Sequence, residues 1–184
     1  MASTDWEASS VQLAGVIKQA KARGLLEKAL EKCTPASRAV LENPYSARWH
    51  PGSVLADFSE ALIAVSDAAA FEALNYDMAK ASFGPILRPM VQVALALTGR
   101  SPATVLSRVP ASLEPVVRNV SCVWAADGKS GGMLTFSYPS DVSRNSEFAW
   151  RGAIRFIGDL SGQPVRVTKL DFIGGRTLKF TLAW

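Results

Sequence analysis

Val165-Arg166-Val167-Thr168-Lys169-Leu170-Asp171-Phe172-Ile173-Gly174-Gly175-Arg176-Thr177-Leu178-Lys179-Phe180-Thr181-Leu182-Ala183-Trp184 closes the chain with two alternating runs around a glycine pair. In the second run Leu178, Phe180, Leu182 and Trp184 alternate with Lys179, Thr181 and Ala183; in the first, Val165 and Val167 alternate with Arg166 and Thr168. Successive strand side chains point to opposite faces, so this period of two describes an antiparallel pair with one apolar and one polar face. Gly174-Gly175, lacking Cβ atoms, permits the positive φ angles of a tight hairpin turn. The apolar phase of the first run slips from Val165 and Val167 to Leu170 and Phe172, which predicts a bulge near Thr168 or Lys169.

Working back from this hairpin, Gly162-Gln163-Pro164 ends a helix that starts near Ser146 and carries Ala149, Ala153, Phe156, Ile157 and Leu160 on one face. Val120 to Ala125 and Met133 to Tyr138 form an earlier hairpin across a glycine-rich loop. The first part of the chain reads as helical. Helical spacing runs from Val11 to Cys33, weakened by Gly15 and Gly24, so an extended start before Ile17 is an alternative there. Thr34-Pro35 opens a short helix through Leu41. Asn43 to Ser53 reads as a surface crossing, a helix follows from Ser53 to Val65, and Asp67 caps another to about Ser82. Ile86 to Leu97 is the most apolar helix, and Ser101-Pro102 starts a short one to Val109. The expected fold class is therefore α+β, an N-terminal helical part followed by an antiparallel hairpin-helix-hairpin sheet unit. Residues 1–10 are expected to be a flexible N-terminus and 11–184 a single domain, helical over 11–118 and sheet-bearing over 119–184.

A chain of 184 residues, 48% hydrophobic and 20% charged, is large enough for one core. The formal charge of +4 favours anionic partners only mildly. Arg166, Lys169, Arg176 and Lys179 on the closing hairpin, with Arg151 and Arg155 before it, are read as a solvated face, since no interleaved aromatic residues offer bases a stacking platform on that polar face. Nucleic acid is accordingly not an expected partner. No run has membrane-spanning length and no secretory signal opens the chain, so the expected location is cytoplasmic.

Chemistry-bearing residues are sparse. His50 is the sole histidine and has no ligand at metal spacing, and Cys33 and Cys122 are too far apart for a Cys-x-x-Cys clip, so no metal and no cofactor are expected. Gly128-Lys129-Ser130-Gly131-Gly132 lacks the Walker spacing and joins strands, which makes it a hairpin loop. No motif pairs acid and base groups, and the protein is read as non-enzymatic. Trp49, Tyr76, Phe83, Met90, Phe136 and Tyr138 are the candidate ligand-binding set, because methionine and aromatic side chains suit an irregular apolar pocket between helices and sheet.

Ala22-Arg23-Gly24-Leu25-Leu26, Trp49-His50-Pro51 before the Val54 to Val65 helix, Leu74 to Phe83 and the last strand ending in Trp184 carry a family resemblance. The chain resembles an uncharacterised paralogous family abundant in myxobacteria, which is distantly similar to the heme NO/O2-binding domains and to 4-vinyl-reductase-type small-molecule-binding domains. That resemblance implies a sensory or regulatory domain with a small apolar or amphipathic ligand held between helices and sheet. It also implies what is missing. Heme-binding relatives use a mid-chain proximal histidine, and none follows His50; their Tyr-x-Ser-x-Arg motif is echoed by Tyr138-Pro139-Ser140, with Val142 at the arginine position. The implied ligand is therefore not heme. The alternative is a protein-interaction adaptor, as a homodimer or with a partner protein, in which the pocket is vestigial.

Overall fold

Gly152 decides how the helical part meets the sheet-bearing part. It lies in the sixteen-residue helix Ser146–Ser161, whose neighbour is the helix Ala68–Ser82. A Cβ at position 152 would sit 2.7 Å from the backbone nitrogen of Tyr76 and closer still to the carbonyl oxygen of Glu72. Only a residue without a side chain lets the two backbones come this near.

The structure is a computed structural model and describes residues 5–82, 101–128 and 130–184. Its elements in chain order are β1 (Glu7–Ser9), α1 (Ser10–Ala22), α2 (Leu26–Lys32), α3 (Pro35–Glu42), β2 (Trp49–Pro51), α4 (Gly52–Val65) and α5 (Ala68–Ser82). They continue with α6 (Pro102–Leu106), α7 (Val109–Leu113), β3 (Val117–Arg118), β4 (Ser121–Ala126), β5 (Gly131–Ser137), α8 (Ser146–Ser161), β6 (Arg166–Ile173) and β7 (Thr177–Ala183). The fold is α+β, with the helices first and the hairpin-helix-hairpin unit second.

The two hairpins join into one antiparallel sheet of order β4-β5-β7-β6. Register aligns Trp124, Leu134, Phe180 and Leu170 in one row and Cys122, Phe136, Leu178 and Phe172 in the next. Leu134, Phe136, Leu178 and Phe180 are almost fully buried, so this face is the core side. The ladder shifts between Val167 and Lys169, where the change of apolar phase predicts a bulge. Gly174 and Gly175 both have positive φ, as the hairpin turn requires. At the C-terminus of α8, Gly162 adopts the left-handed conformation that ends a helix.

The helical part holds one feature that periodicity does not announce. β1 pairs with both β2 and β3 in a second, three-stranded sheet. The segment Asn43 to Ser53, expected as a surface crossing, thus contains strand β2, and His50 stands opposite Ala8 in it. Strands of two or three residues are too short to show alternation, so only the pairing partner defines them. Within the stretch expected to be a flexible N-terminus, Trp6 is 8% exposed and Glu7–Ser9 is the central strand. Ser9 then caps α1 by accepting from the Gln12 amide, so the helix begins at Ser10 rather than near Ile17.

Helix starts otherwise follow their caps. Thr34 accepts from the Ser37 amide, and Asp57 of α4 accepts from both the amide and the hydroxyl of Thr34. Asp67 accepts from the Ala70 amide at 2.7 Å. The short helix from Pro102 stops at Leu106 and a second, α7, contains Pro110 in its first turn, where a missing N–H is harmless. The expected Ile86 to Leu97 helix lies outside the described residues.

Gly152→Ala is expected to lower stability by about 1–3 kcal/mol, because backbone atoms of α5 must move to admit one methyl group. Urea denaturation checks this; an unchanged midpoint would mean that the interhelical distance is not set by Gly152.

Candidate functional site

The alternation of Leu134, Phe136 and Tyr138 carries three side chains to the core face, and Tyr138 stands at the end of that row. Across from it, α8 presents Ser146, Ala149, Trp150 and Ala153, which recur at helical spacing on one stripe. The Trp150 ring stacks on Phe136 with centroids 3.7 Å apart, and its indole Nε1–H donates to the Tyr138 hydroxyl at 2.9 Å. Trp6 meets the Tyr138 ring edge-on at 5.5 Å. Its own ring covers Gly52, where any Cβ would collide with the indole.

Ser146, Ala149 and Ala153 are small, and the space they leave is a cavity of about 90 Å³. Leu55, Ala56 and Ser59 of α4, Asn75 and Met78 of α5, and Leu113, Val116 and Val117 at and after the end of α7 complete its described wall with Trp6, Gln12, Tyr138 and Trp150. The wall is mostly apolar and carries no charged side chain among the described residues. Two polar groups are already committed: the Asn75 amide nitrogen donates to the Phe71 carbonyl, and the Ser59 hydroxyl donates to the Leu55 carbonyl.

Burial raises the pKa of Tyr138, opposed in part by the Trp150 hydrogen bond, so its hydroxyl stays protonated. Burial likewise pushes the Cys122 thiol up to about 12 and, with Asp57 adding repulsion, the Cys33 thiol to about 11. Both cysteines are free thiols. They lack the thiolate character that nucleophilic or metal-binding work requires.

The candidate residues fall in separate places. Tyr138 lines the cavity. Phe136 is fully buried behind the wall, where it supports Trp150 and meets Phe180 edge-on. Trp49 lies on the three-stranded sheet, with the Arg118 guanidinium 4.0 Å from its ring. Tyr76 packs on α8, where its hydroxyl donates to Asp159 and Arg155 covers its ring at 4.4 Å. Phe83 and Met90 lie outside the described residues. Trp6, Asn75, Met78 and Trp150 line the cavity without having been singled out. The stripe of small residues on α8 was the available signal for Trp150, whereas nothing local marks Trp6 as a wall residue.

His50 is 3% exposed, and its Nε2 lies 2.7 Å from the Pro44 carbonyl oxygen, so that nitrogen carries a proton and donates. This ties the segment before β2 in place. Among the described residues, no group of three or more His, Cys, Asp or Glu side chains is placed to hold a metal ion. No helix among them is long and apolar enough to cross a membrane.

No family model matches the chain, and no curated protein matches it. Solved structures do match. An Fe(II) unliganded H-NOX protein from K. algicida aligns with a TM-score of 0.64 over 95% of each chain, at 13% identity. An oxygen-binding H-NOX domain related to soluble guanylate cyclases, solved as its oxygen complex, aligns with a TM-score of 0.54 at 10% identity, covering 92% of this chain and 91% of that one. The fold is that of the H-NOX domains. At such identity the likeness concerns the H-NOX architecture and not the chemistry of its site. The H-NOX-like sheet here ends in Tyr138-Pro139-Ser140, where the Ser140 hydroxyl donates to Asp5 and the Val142 amide donates to the Gly175 carbonyl.

Tyr138 and Cys122 give the fold a pH signature. Their pKa values are raised in the folded state, so the unfolded chain releases these protons first and stability falls as pH rises from about 9 toward 12. Below pH 8 neither group contributes a slope. Melting temperatures of the wild type, Tyr138→Phe and Cys122→Ala are expected to show a shallower alkaline decline in each variant; equal slopes in all three would exclude these groups as its source.

Proposed function

We propose that this protein is a non-enzymatic sensory domain that takes a small, uncharged, mostly apolar molecule into the cavity between α4, α5, α8 and Tyr138, and that it does so without heme. The observation that carries this reading is the cavity itself: a hydrophobic space of about 90 Å³ lined by a stripe of small residues on α8 and by Trp6 and Trp150. A charged ligand would lose its hydration against a wall that, among the described residues, holds no opposite charge, which costs several kcal/mol or more. The kinship with H-NOX domains raises the expectation of a sensor. Kinship with the myxobacterial paralogues and with 4-vinyl-reductase-type domains belongs to the same proposal, as does a cytoplasmic location, where Cys33 and Cys122 would stay reduced.

The residues present do not suit heme. An axial ligand of the usual kind is histidine, cysteinate, tyrosinate or methionine. The described wall has no histidine or cysteine, and His50 is engaged with Pro44 elsewhere. Tyr138 is held protonated by burial, which disfavours the tyrosinate form. Met78 is the remaining sulfur ligand on the wall, but no arginine or lysine accompanies it there to pair with propionates. The space is also well below the several hundred Å³ typical of cofactor pockets.

Xenon is a suitable first probe because it enters apolar cavities without needing polar contacts. Saturable xenon binding followed by 129Xe NMR is expected for the wild type, with at least a tenfold loss in Ala153→Leu, whose side chain fills the space. Titration with hemin is expected to give no stoichiometric Soret complex. Xenon that fails to bind would remove the cavity reading, and a one-to-one Soret complex would remove the heme-free part of it.

A further inference from the structure

Tyr138 is buried, and its hydroxyl oxygen accepts from Trp150. Its own proton is another matter. Among the described residues, no acceptor lies within hydrogen-bonding reach of that proton, although buried hydroxyl donors in folded proteins are nearly always satisfied. Asn75 presents the complementary case. Its side chain is 3% exposed and lines the same cavity. The Phe71 carbonyl can only accept, so the amide nitrogen must face it, at 2.9 Å. That leaves the Oδ1 of Asn75 as the polar atom it offers to the cavity.

Among the described residues the wall thus carries no charge, and its deeply buried polar side chains present an unspent donor, the Tyr138 hydroxyl, and an acceptor, Asn75 Oδ1, with the half-buried Gln12 and Ser146 as further polar neighbours. Resting on the cavity reading above, we infer that the ligand is a small neutral molecule bearing a hydroxyl group, whose oxygen accepts from Tyr138 and whose proton is donated to Asn75, while its hydrocarbon part packs against Ala149, Ala153 and Trp150. A hydrocarbon of equal size would leave both protein groups unpaired. A ketone would satisfy Tyr138 alone. An ion would find no counter-charge among the described residues. The site is therefore selective by polarity pattern, in the way that a pocket built to pair a hydroxyl discriminates against the analogue lacking it.

Three five-carbon rings separate these cases: cyclopentanol, cyclopentanone and cyclopentene. Their affinities for the full chain can be compared by ligand-observed NMR. Expected is the order cyclopentanol, cyclopentanone, cyclopentene, with about threefold to tenfold between neighbours, the usual worth of one hydrogen bond. In Tyr138→Phe the advantage of the alcohol and the ketone over cyclopentene is expected to shrink by the same factor, while cyclopentene affinity is retained, which also reports that the variant is folded. Asn75→Leu is expected to remove the preference for alcohol over ketone. Equal affinity for the three rings, or a preference that survives in Tyr138→Phe, overturns the inference and leaves the cavity reading intact. Xenon binding with no ring bound also overturns the inference alone, whereas loss of xenon and rings together overturns both.

Discussion

The approach of α8 to α5 at Gly152 is the constraint on which the rest of the structure depends. Because no side chain separates the two backbones there, α8 is held against the helical part along most of its length. It also packs on α6 and reaches the sheet through Trp150 on Phe136. α8 therefore acts as a fixed beam between two layers. Ion pairing adds little to this arrangement: Arg155 reaches Glu72 only at 3.9 Å, and both side chains are partly in water. Close packing of backbone and rings carries the interface.

The same beam creates the cavity. With the spacing to α5 set by Gly152, the small side chains of Ser146, Ala149 and Ala153 cannot be compensated by moving the helix inward, so space remains on that stripe. Two large rings, Trp6 and Trp150, line it and both contact Tyr138. Trp6 reaches its place because β1 is paired on both edges and Gly52 leaves room for an indole. The result is an H-NOX-like fold whose cavity wall, among the described residues, carries neutral polar groups and no charged side chain. Architecture and chemistry are separable here, as they are in other folds that host many functions.

The sheet-bearing half was legible in the sequence. Alternation in β5, β6 and β7, the slip of phase at Val167 to Lys169 and the glycine pair at 174 and 175 are local signals, and each corresponds to an observed feature. Helix starts at Thr34, Asp67 and Ser101 were legible for the same reason, since a cap acts within one turn. The three-stranded sheet was not. Its strands are two or three residues long and lie more than sixty residues apart between Pro51 and Val117, so neither period nor turn announces them. Of the aromatic set, Tyr138 lines the cavity while Phe136, Trp49 and Tyr76 pack at separate places, because aromatic residues fill cores and line pockets alike.

The sequence by itself determined the fold class, the order of helices and hairpins, the bulge in β6, and the lack of any histidine after His50. These follow from periodicity, turn chemistry and composition, which act over a few residues or over the whole chain without regard to position. Only the tertiary structure decided that Trp6 from the N-terminus, Asn75 from α5 and Trp150 from α8 meet Tyr138 around one cavity. Whether a tyrosine hydroxyl is buried against an indole, or an asparagine side chain lines a cavity, depends on neighbours that are distant in sequence. No local pattern encodes them, because the wall of a cavity is made by packing between elements.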